Sequence, residues 1–297
     1  MQVFVTGGTG FVGQRLVATL NRRGHRVVAL VRTYERAREL PRGVRAVAGD
    51  LTKPESYRSR LADCDVMIHA ASAMRLGPSA SERERIERIN VLGSRIAREA
   101  ALAAGVLRVV HVSHAAAYGL GPGPAALEGQ RPNPATALTF AAATRAQAQV
   151  EAMDAQAAGA PVIVVVPGQP FDPETPQPAE ADFTVWRGER LWVLAGAAAR
   201  RSWVTVSRLG EGLADVIERG LPGAVYHLGG EARPVRQIVE AGGPFRVWLP
   251  APLVRAMARV WRDAWPAQAE RWRAGADYVL DGARARVELG WAEQASF

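Results

Sequence analysis

Three glycines define the first chemistry open to this chain. Gly7, Gly10 and Gly13 stand in the run Thr6-Gly7-Gly8-Thr9-Gly10-Phe11-Val12-Gly13. At this spacing Gly7 permits a tight turn and Gly10 lets the backbone approach a pyrophosphate. Gly13 lets a helix pack closely on a strand. Phosphates bound there would meet free N–H groups at the positive end of a helix dipole. A second feature lies at Arg32, with Arg36 and Arg38 close by. A carboxylate in that place would bind the ribose 2′-hydroxyl of NAD; a guanidinium suits a 2′-phosphate, so NADP is the expected cofactor and NAD the alternative. A third is His114, with Tyr118 four residues on. An unperturbed imidazole titrates near ~6.5, so His114 is a candidate acid or base at neutral pH, with Tyr118 a second proton donor.

These residues need elements to position them. Gln2–Thr6 reads as a short buried strand. Phe11–Arg23 has helical spacing, with Phe11, Val12, Leu16, Val17 and Leu20 along one stripe. Gly24 supplies a left-handed helix end, and Arg26–Val31 is a second buried strand. Strand, glycine turn, helix and strand therefore follow one another, which is the context a glycine fingerprint requires. The alternation continues with strands over Val44–Val47, Val66–Ala70, Arg108–Val112 and Val162–Val166, and helices over Glu82–Ala104 and Thr139–Ala158. It predicts an α/β fold, a doubly wound parallel sheet (Rossmann) with a smaller, sequence-interleaved C-terminal substrate lobe. The expected division is 1–168 plus 203–230 for the dinucleotide lobe and 169–202 plus 231–297 for the substrate lobe. Gly121–Pro134 and Phe171–Pro178 read as loops.

The 7-10-13 spacing resembles the TGxxGxxG pattern of the extended short-chain dehydrogenase/reductase family. That family includes nucleotide-sugar epimerases and dehydratases and dihydroflavonol-reductase-like proteins. The resemblance continues through Asp50, Ala70-Ala71, Asn90, Trp203 to Gly230, and Asp281 through Glu288-Leu289-Gly290-Trp291, so it covers nearly the whole chain. It implies a cofactor set of Gly7, Gly10, Phe11, Val12, Gly13, Arg32, Asp50, Leu51, Ala70, Ala71 and Pro167. Asp50 would reach the adenine amino group, Ala70-Ala71 would pass beside the cofactor, and Asn90 would help organise the active site. It also implies pairing of two copies through the long helices, 82–104 and 139–158. The second of these is rich in alanine, which permits close helix approach.

Members of that family that transfer hydride use Ser or Thr, Tyr and Lys. The Tyr exchanges a proton with the substrate oxygen, the Lys lowers the phenol pKa, and the Ser orients the substrate. This chain departs at each place. The S-S-x-x-x-Y-G pattern maps onto Ser113 to Gly119 and puts His114 where the functional serine belongs. The Y-x-x-x-K segment maps onto Phe140 and Thr144; a shift of one residue gives Ala141 and Arg145. Two functions stay open. One is a cofactor or small-molecule binding protein without the usual hydride-transfer catalysis. The other is an NADP-dependent oxidoreductase or epimerase/dehydratase-like enzyme in which His114, Tyr118 and Asn90 carry the catalysis.

Composition narrows the remaining classes. The chain has 297 residues, 48% hydrophobic and 22% charged, which excludes a disordered or collagen-like chain. Its longest aliphatic run is Val162–Val166, far short of the ~20 residues of a membrane helix. One cysteine, Cys64, excludes an internal disulfide, so the expected setting is cytoplasmic. Net charge is +8, and Lys53 is the one lysine among 37 basic residues. The arginines are scattered and no nucleic-acid motif accompanies them, so a nucleic-acid partner is not expected; the partner is a small molecule that the sequence does not name. His25, His69, His111, His114 and His227 show no zinc spacing with Cys64, and no metal is expected. Trp248, Trp261, Trp265, Trp272 and Trp291 gather in the last third and read mostly as core.

Overall fold

The computed structural model describes residues 1–73, 80–118, 125–137, 139–174, 184–187, 191–195, 198–239, 245–250, 253 and 277–292. A seven-stranded sheet forms its centre. In chain order its strands are β1 (Gln2–Thr6), β2 (Arg26–Val31), β3 (Arg45–Ala48), β4 (Val66–His69), β5 (Arg108–Val112), β6 (Val162–Pro167) and, after four strands of smaller sheets, β11 (Val225–Leu228). Across the sheet the order is β11-β6-β5-β4-β1-β2-β3, and every pairing is parallel. The order reverses beside β1, between β2 and β4. Open α/β sheets bind ligands at such a switch point, outside the carboxyl ends of the strands.

The strands are apolar runs because helices cover both faces. Successive side chains alternate faces, so Val3 and Val5 enter one core and Phe4 the other. The first core includes Leu16 and Leu20 of α1 (Phe11–Arg22), together with Leu213, Leu289 and Trp291. The second includes Leu61 of α2 (Arg58–Leu61), Ala97 and Ala101 of α4 (Ser94–Ala103), and Ala142 and Ala152 of α5 (Phe140–Ala157). Leu213 lies on α6 (Val206–Arg219), and Leu289 ends α8 (Ala283–Leu289). Helix α1 packs along α6. There Arg23 meets Glu211, Asp215 and Glu218, tying the two helices together at the rim.

Two smaller sheets follow. The first holds β7 (Gln169–Phe171), β10 (Arg200–Thr205) and β12 (Ala232–Pro234), with β10 in the middle. The second holds β8 (Thr184–Arg187), β9 (Leu191–Ala195) and β13 (Phe245–Leu249), with β9 in the middle. Strand β10 runs through the boundary expected at 203. A short helix, α7 (Val235–Val239), follows β12. Trp203 is fully buried on β10, and its indole N–H donates to the Arg233 carbonyl. Trp291 is buried and donates to the Gly229 carbonyl. Trp248 lies on β13, while Trp261, Trp265 and Trp272 fall outside the described residues.

The long helix expected over Glu82–Ala104 is corrected. It begins earlier, as α3 (Ala80–Glu87), passes through a π-helical segment at Arg88–Gly93, and resumes as α4. The wider turn carries Asn90, whose side chain bonds outward to neighbouring elements, and π segments recur where a side chain must be redirected. Ala141, Ala142, Ala146, Ala148 and Ala152 of α5 are buried within the single chain.

The glycine turn is tighter than its spacing alone implied. Gly7 has φ 78°, and a Cβ there would lie 2.6 Å from the Ala71 nitrogen. A Cβ on Gly13 would overlap the Gly7 carbonyl oxygen, so Gly13 keeps α1 against the turn itself rather than against the strand proper. Gly13→Ala is expected to cost about 1–3 kcal/mol through overpacking against backbone, read as a lower denaturant midpoint at unchanged slope. Unaltered stability would show that the turn yields.

Candidate functional site

The glycine turn has the form of a phosphate cradle. The Gly10 N–H donates to the Gly7 carbonyl at 2.9 Å, closing the turn. Helix α1 then starts at Gly10 with no side-chain cap and no acidic residue in its first turn. The positive end of its dipole is therefore left for an anion, with Phe11, Val12 and Gly13 as its first residues. These features fit a dinucleotide pyrophosphate: no Cβ blocks the turn, and nothing negative competes for the helix end.

On one side of this cradle lie the β2 and β3 ends. Arg32 follows β2 and is exposed. Arg36 reaches back to the turn, donating to Thr9 Oγ1 at 3.3 Å while paired with Glu39. Asp50 follows β3. Its Oδ1 accepts from the Thr52 N–H and hydroxyl, both at 2.9 Å, and the backbone donor chiefly holds its carboxyl below the usual range. Leu51 packs against Gly93 of the π segment, where a Cβ would come within 2.7 Å of it.

On the other side, β4 ends in a buried polar relay. Ser94 Oγ donates to the Asn90 carbonyl, so it accepts from His69 Nε2 at 2.8 Å; His69 Nδ1 then accepts from the Thr6 hydroxyl at 2.8 Å. Burial, with Arg98 nearby, pulls the His69 pKa down to about 4, and the ring is neutral. Asn90 is a strut. Its amide accepts from the Ala73 N–H and donates to the Ala73 carbonyl and to Thr144 Oγ1, at 2.7–3.0 Å. It thus ties the chain beyond Ala70-Ala71 to helix α5. Pro167 ends β6, beyond β5, and is buried.

His114 lies just past β5 and is buried. Its Nδ1 accepts from the Ala116 N–H at 3.0 Å, so the neutral ring carries its proton on Nε2. That Nε2 is buried without a hydrogen-bond partner among the described residues. Burial first, then the charges of Arg145 and Arg201, hold the pKa well below 6.5. The expectation of a group titrating at neutral pH is therefore corrected: His114 presents a fixed N–H donor. Tyr278 packs edge-on against its ring, at 6.4 Å between centroids, with the Arg201 guanidinium 3.7 Å over the Tyr278 ring.

Tyr118 belongs to a different relay. His227 Nδ1 donates to the Asp281 carbonyl, so its Nε2 accepts the Tyr118 proton at 2.8 Å. Tyr118 in turn accepts from Gln149 Nε2 at 3.1 Å, and Gln149 Oε1 accepts from Ser113 at 2.6 Å. Burial pushes the phenol up to about 12 and the His227 pKa down to about 4. The expected second proton donor is thus engaged in joining β5, α5, β11 and the segment before α8.

Phe140 and Thr144 occupy the first two turns of α5. The Arg83 guanidinium lies 5.1 Å from the Phe140 ring centroid. Thr144 is buried and donates to the Ala141 carbonyl while accepting from Asn90. Sequence reasoning set Arg145 aside, yet its Nε donates to Ser72 Oγ at 3.0 Å, and it lines a small cleft with Ala71, His69, Asn90, His111 and Ser113. Adjacency to the Y-x-x-x-K position was the one available signal. Among the described residues no three metal-ligating side chains converge, and no described helix is long and apolar enough to cross a membrane.

Sheet order, switch point and cradle define a doubly wound α/β protein of the dinucleotide-binding class. The profile of the NAD dependent epimerase/dehydratase family matches residues 3–229, and the chain belongs to that family. A curated relative from Stigmatella aurantiaca, 4-hydroxy-2-methyl-3-oxo-4-farnesyl-3,4-dihydroquinoline-1-oxide ketoreductase, is 30% identical over 98% of this chain and 92% of its own. A putative dihydroflavonol 4-reductase from Synechocystis is 34% identical over 57% of this chain and 49% of its own. A dTDP-glucose 4,6-dehydratase from Streptomyces venezuelae, solved with NAD bound, superposes with a TM-score of 0.77. It is 22% identical, covering 100% of this chain and 93% of that one, a likeness of fold.

The buried histidines predict an acid limb of stability. Unfolded, His69 and His227 bind a proton near ~6.5; folded, only near about 4. Between those values the unfolded state holds more protons, so stability is full above ~6.5 and declines as pH falls toward 4, by up to roughly 3 kcal/mol per histidine. Urea unfolding from pH 7.5 to 4.5 should show this slope, and His227→Asn should shrink it. A flat profile would contradict the neutral, buried assignment.

Proposed function

We propose that this chain binds a nicotinamide dinucleotide along the carboxyl edge of its main sheet and holds it without the family's Tyr–Lys proton relay. Its role is then that of a cofactor or small-molecule binding protein. One observation carries the reading. Thr144, in the place of the lysine, is consumed by bonds to Ala141 and Asn90, and Phe140, in the place of the tyrosine, has no proton to give. The phenol of Tyr118 has its proton committed to His227. Phosphates would lie on the turn of Gly7, Gly10 and Gly13, with Phe11 and Val12 at the helix end. Asp50 and Leu51 would border the adenosine half, and Ala70 and Ala71 the other. When bound, the nicotinamide would supply or accept hydride; the chain's own residues would orient it and exclude water. NADP is the proposed cofactor over NAD, on the cluster of Arg32 and Arg36 after β2. A cytoplasmic setting, with Cys64 reduced, and pairing through the helices of 82–104 and 139–158 belong to the same proposal.

A second reading rests on His114. Its unpartnered Nε2–H is a preorganised donor of the kind that polarises a carbonyl, and the Stigmatella relative bears the name of a ketoreductase. In that reading the chain is an NADP-dependent reductase whose His114 grips the substrate oxygen in place of serine.

Turnover separates the two. NADPH oxidation against a broad panel of ketones and aldehydes should stay at background for the native protein. Phe140→Tyr combined with Thr144→Lys should raise it, by restoring a phenol and its cation. Native turnover that is lost in His114→Ala would establish the reductase instead. Arg32→Asp should reverse the preference between NADPH and NADH by about tenfold or more, the scale of one lost charge-assisted contact. An unchanged ratio would remove Arg32 from the site.

A further inference from the structure

A cavity of about 350 Å³ lies between α1 and α6, and no residue of the glycine turn lines it. Its lining includes Arg15, Thr19 and Arg22 from α1, and Ser207, Arg208 and Glu211 from the first turns of α6. Charge pairing around it is uneven. Arg15 meets Asp172 at 3.2 Å and Glu174 at 3.7 Å. Glu211 is held by Arg22 and by Arg23. Arg208 is left over. Among the described residues its side chain makes no ion pair and no hydrogen bond, and its Nε is buried without an acceptor.

An aromatic face holds Arg208 in place. Its guanidinium carbon lies 4.3 Å from the centroid of the Trp291 ring. Trp291 is buried and is itself fixed by its bond to the Gly229 carbonyl. The ring quadrupole attracts the cation without neutralising it. The backbone is fixed too, since Thr205 Oγ1 accepts from the Arg208 N–H at 3.2 Å. A chain of net charge +8 has unmatched arginines on its surface. Arg208 differs from those in being stacked, half-buried and set in a cavity. The first turn of α6 carries no acidic residue, so the positive end of its dipole adds to the same field.

We propose that this cavity is a second binding site, for a small phosphate ester, with Arg208 as its anion anchor. The site is independent of the glycine turn and of dinucleotide binding there. A guanidinium presents paired N–H donors in one plane, which match two oxygens of a phosphoryl group. Arg15 and Arg22 engage their carboxylates through Nη2, which leaves N–H donors at Nε and Nη1 for the remaining oxygens. The Ser207 hydroxyl supplies an uncharged contact. The volume is at the lower end of the about 300–1,000 Å³ usual for small-molecule pockets, which suits a phosphate with a short carbon body rather than a nucleotide.

Calorimetric titration of the full chain with glycerol 3-phosphate, inorganic phosphate and glycerol tests this. Glycerol 3-phosphate should bind with a Kd at or below about 1 mM, more tightly than inorganic phosphate, and glycerol should not bind. Arg208→Gln should weaken the ester about tenfold or more, the scale of one charge-assisted contact. Arg131→Gln, which removes an exposed guanidinium paired with Asp154 on α5, should leave binding unchanged. Absence of binding by either phosphate would overturn the proposal. So would equal weakening by Arg131→Gln, which would mean attraction to the basic surface in general. Phosphate held at the glycine turn instead would bind Arg208→Gln as it binds the native chain, and that result also overturns the cavity site. Inorganic phosphate binding as tightly as glycerol 3-phosphate would overturn the assignment to an ester. Should Arg208→Gln not fold, Ser207→Asp places a carboxylate in the lining and should abolish binding; unchanged binding would contradict the proposal.

Discussion

The contact between Gly13 and the Gly7 carbonyl is the constraint on which the rest of the site depends. Neither position tolerates a side-chain carbon: at Gly13 it would overlap that carbonyl, and at Gly7 it would meet Ala71. Because both are bare, α1 starts directly against the end of β1, and the chain leaving β4 passes within van der Waals reach of the turn. The uncapped helix end, the Ala70-Ala71 segment and the β4–β5 cleft are placed relative to one another by this approach. The open helix N-terminus and the carboxyl edge of β4 and β5 are set side by side by one piece of backbone geometry.

Around that edge the protein has two buried hydrogen-bond relays. One runs from Thr6 through His69 to Ser94 and Asn90; another from Ser113 through Gln149 and Tyr118 to His227. In each the direction of every proton is fixed by a terminal carbonyl that can only accept. Such relays join strands to helices and keep the histidines neutral, because a buried, fully partnered imidazole gains nothing by charging. Tyr118 donates to His227 in the second, and Thr144 accepts from Asn90 beside the first. His114 differs from both, since its Nε2–H has no acceptor among the described residues.

Much of the fold was legible in the sequence, and the reasons are local. Val3 to Val5, Val27 to Val31 and Val162 to Val166 are too apolar and too short for anything but buried strands, and the glycines between them mark the turn and the helix end. The π segment at Arg88–Gly93 was not legible, because its cause is tertiary: Asn90 bonds to Ala73 and Thr144, far away in sequence. The same holds for the alanines of α5, whose burial inside the chain depends on where α4 and the sheet lie. At the site, residue types indicated which groups are present but not their protonation. By type His114 is a titrating imidazole; in the fold burial first, then Arg145 and Arg201, lower its pKa, and its Nδ1 accepts from Ala116. Arg145 was passed over because its place in the pattern is one residue off the lysine, and only the turn of α5 shows that it reaches Ser72.

Whether the glycine turn holds a nicotinamide dinucleotide is answered by a crystal structure of the nucleotide-free protein soaked with NADPH. Density is expected for the pyrophosphate against the first turn of α1, adenosine toward β2 and β3, and the dihydronicotinamide over β4 and β5. A clear map with an empty turn at saturating NADPH, or a dinucleotide bound elsewhere on the chain, would contradict it.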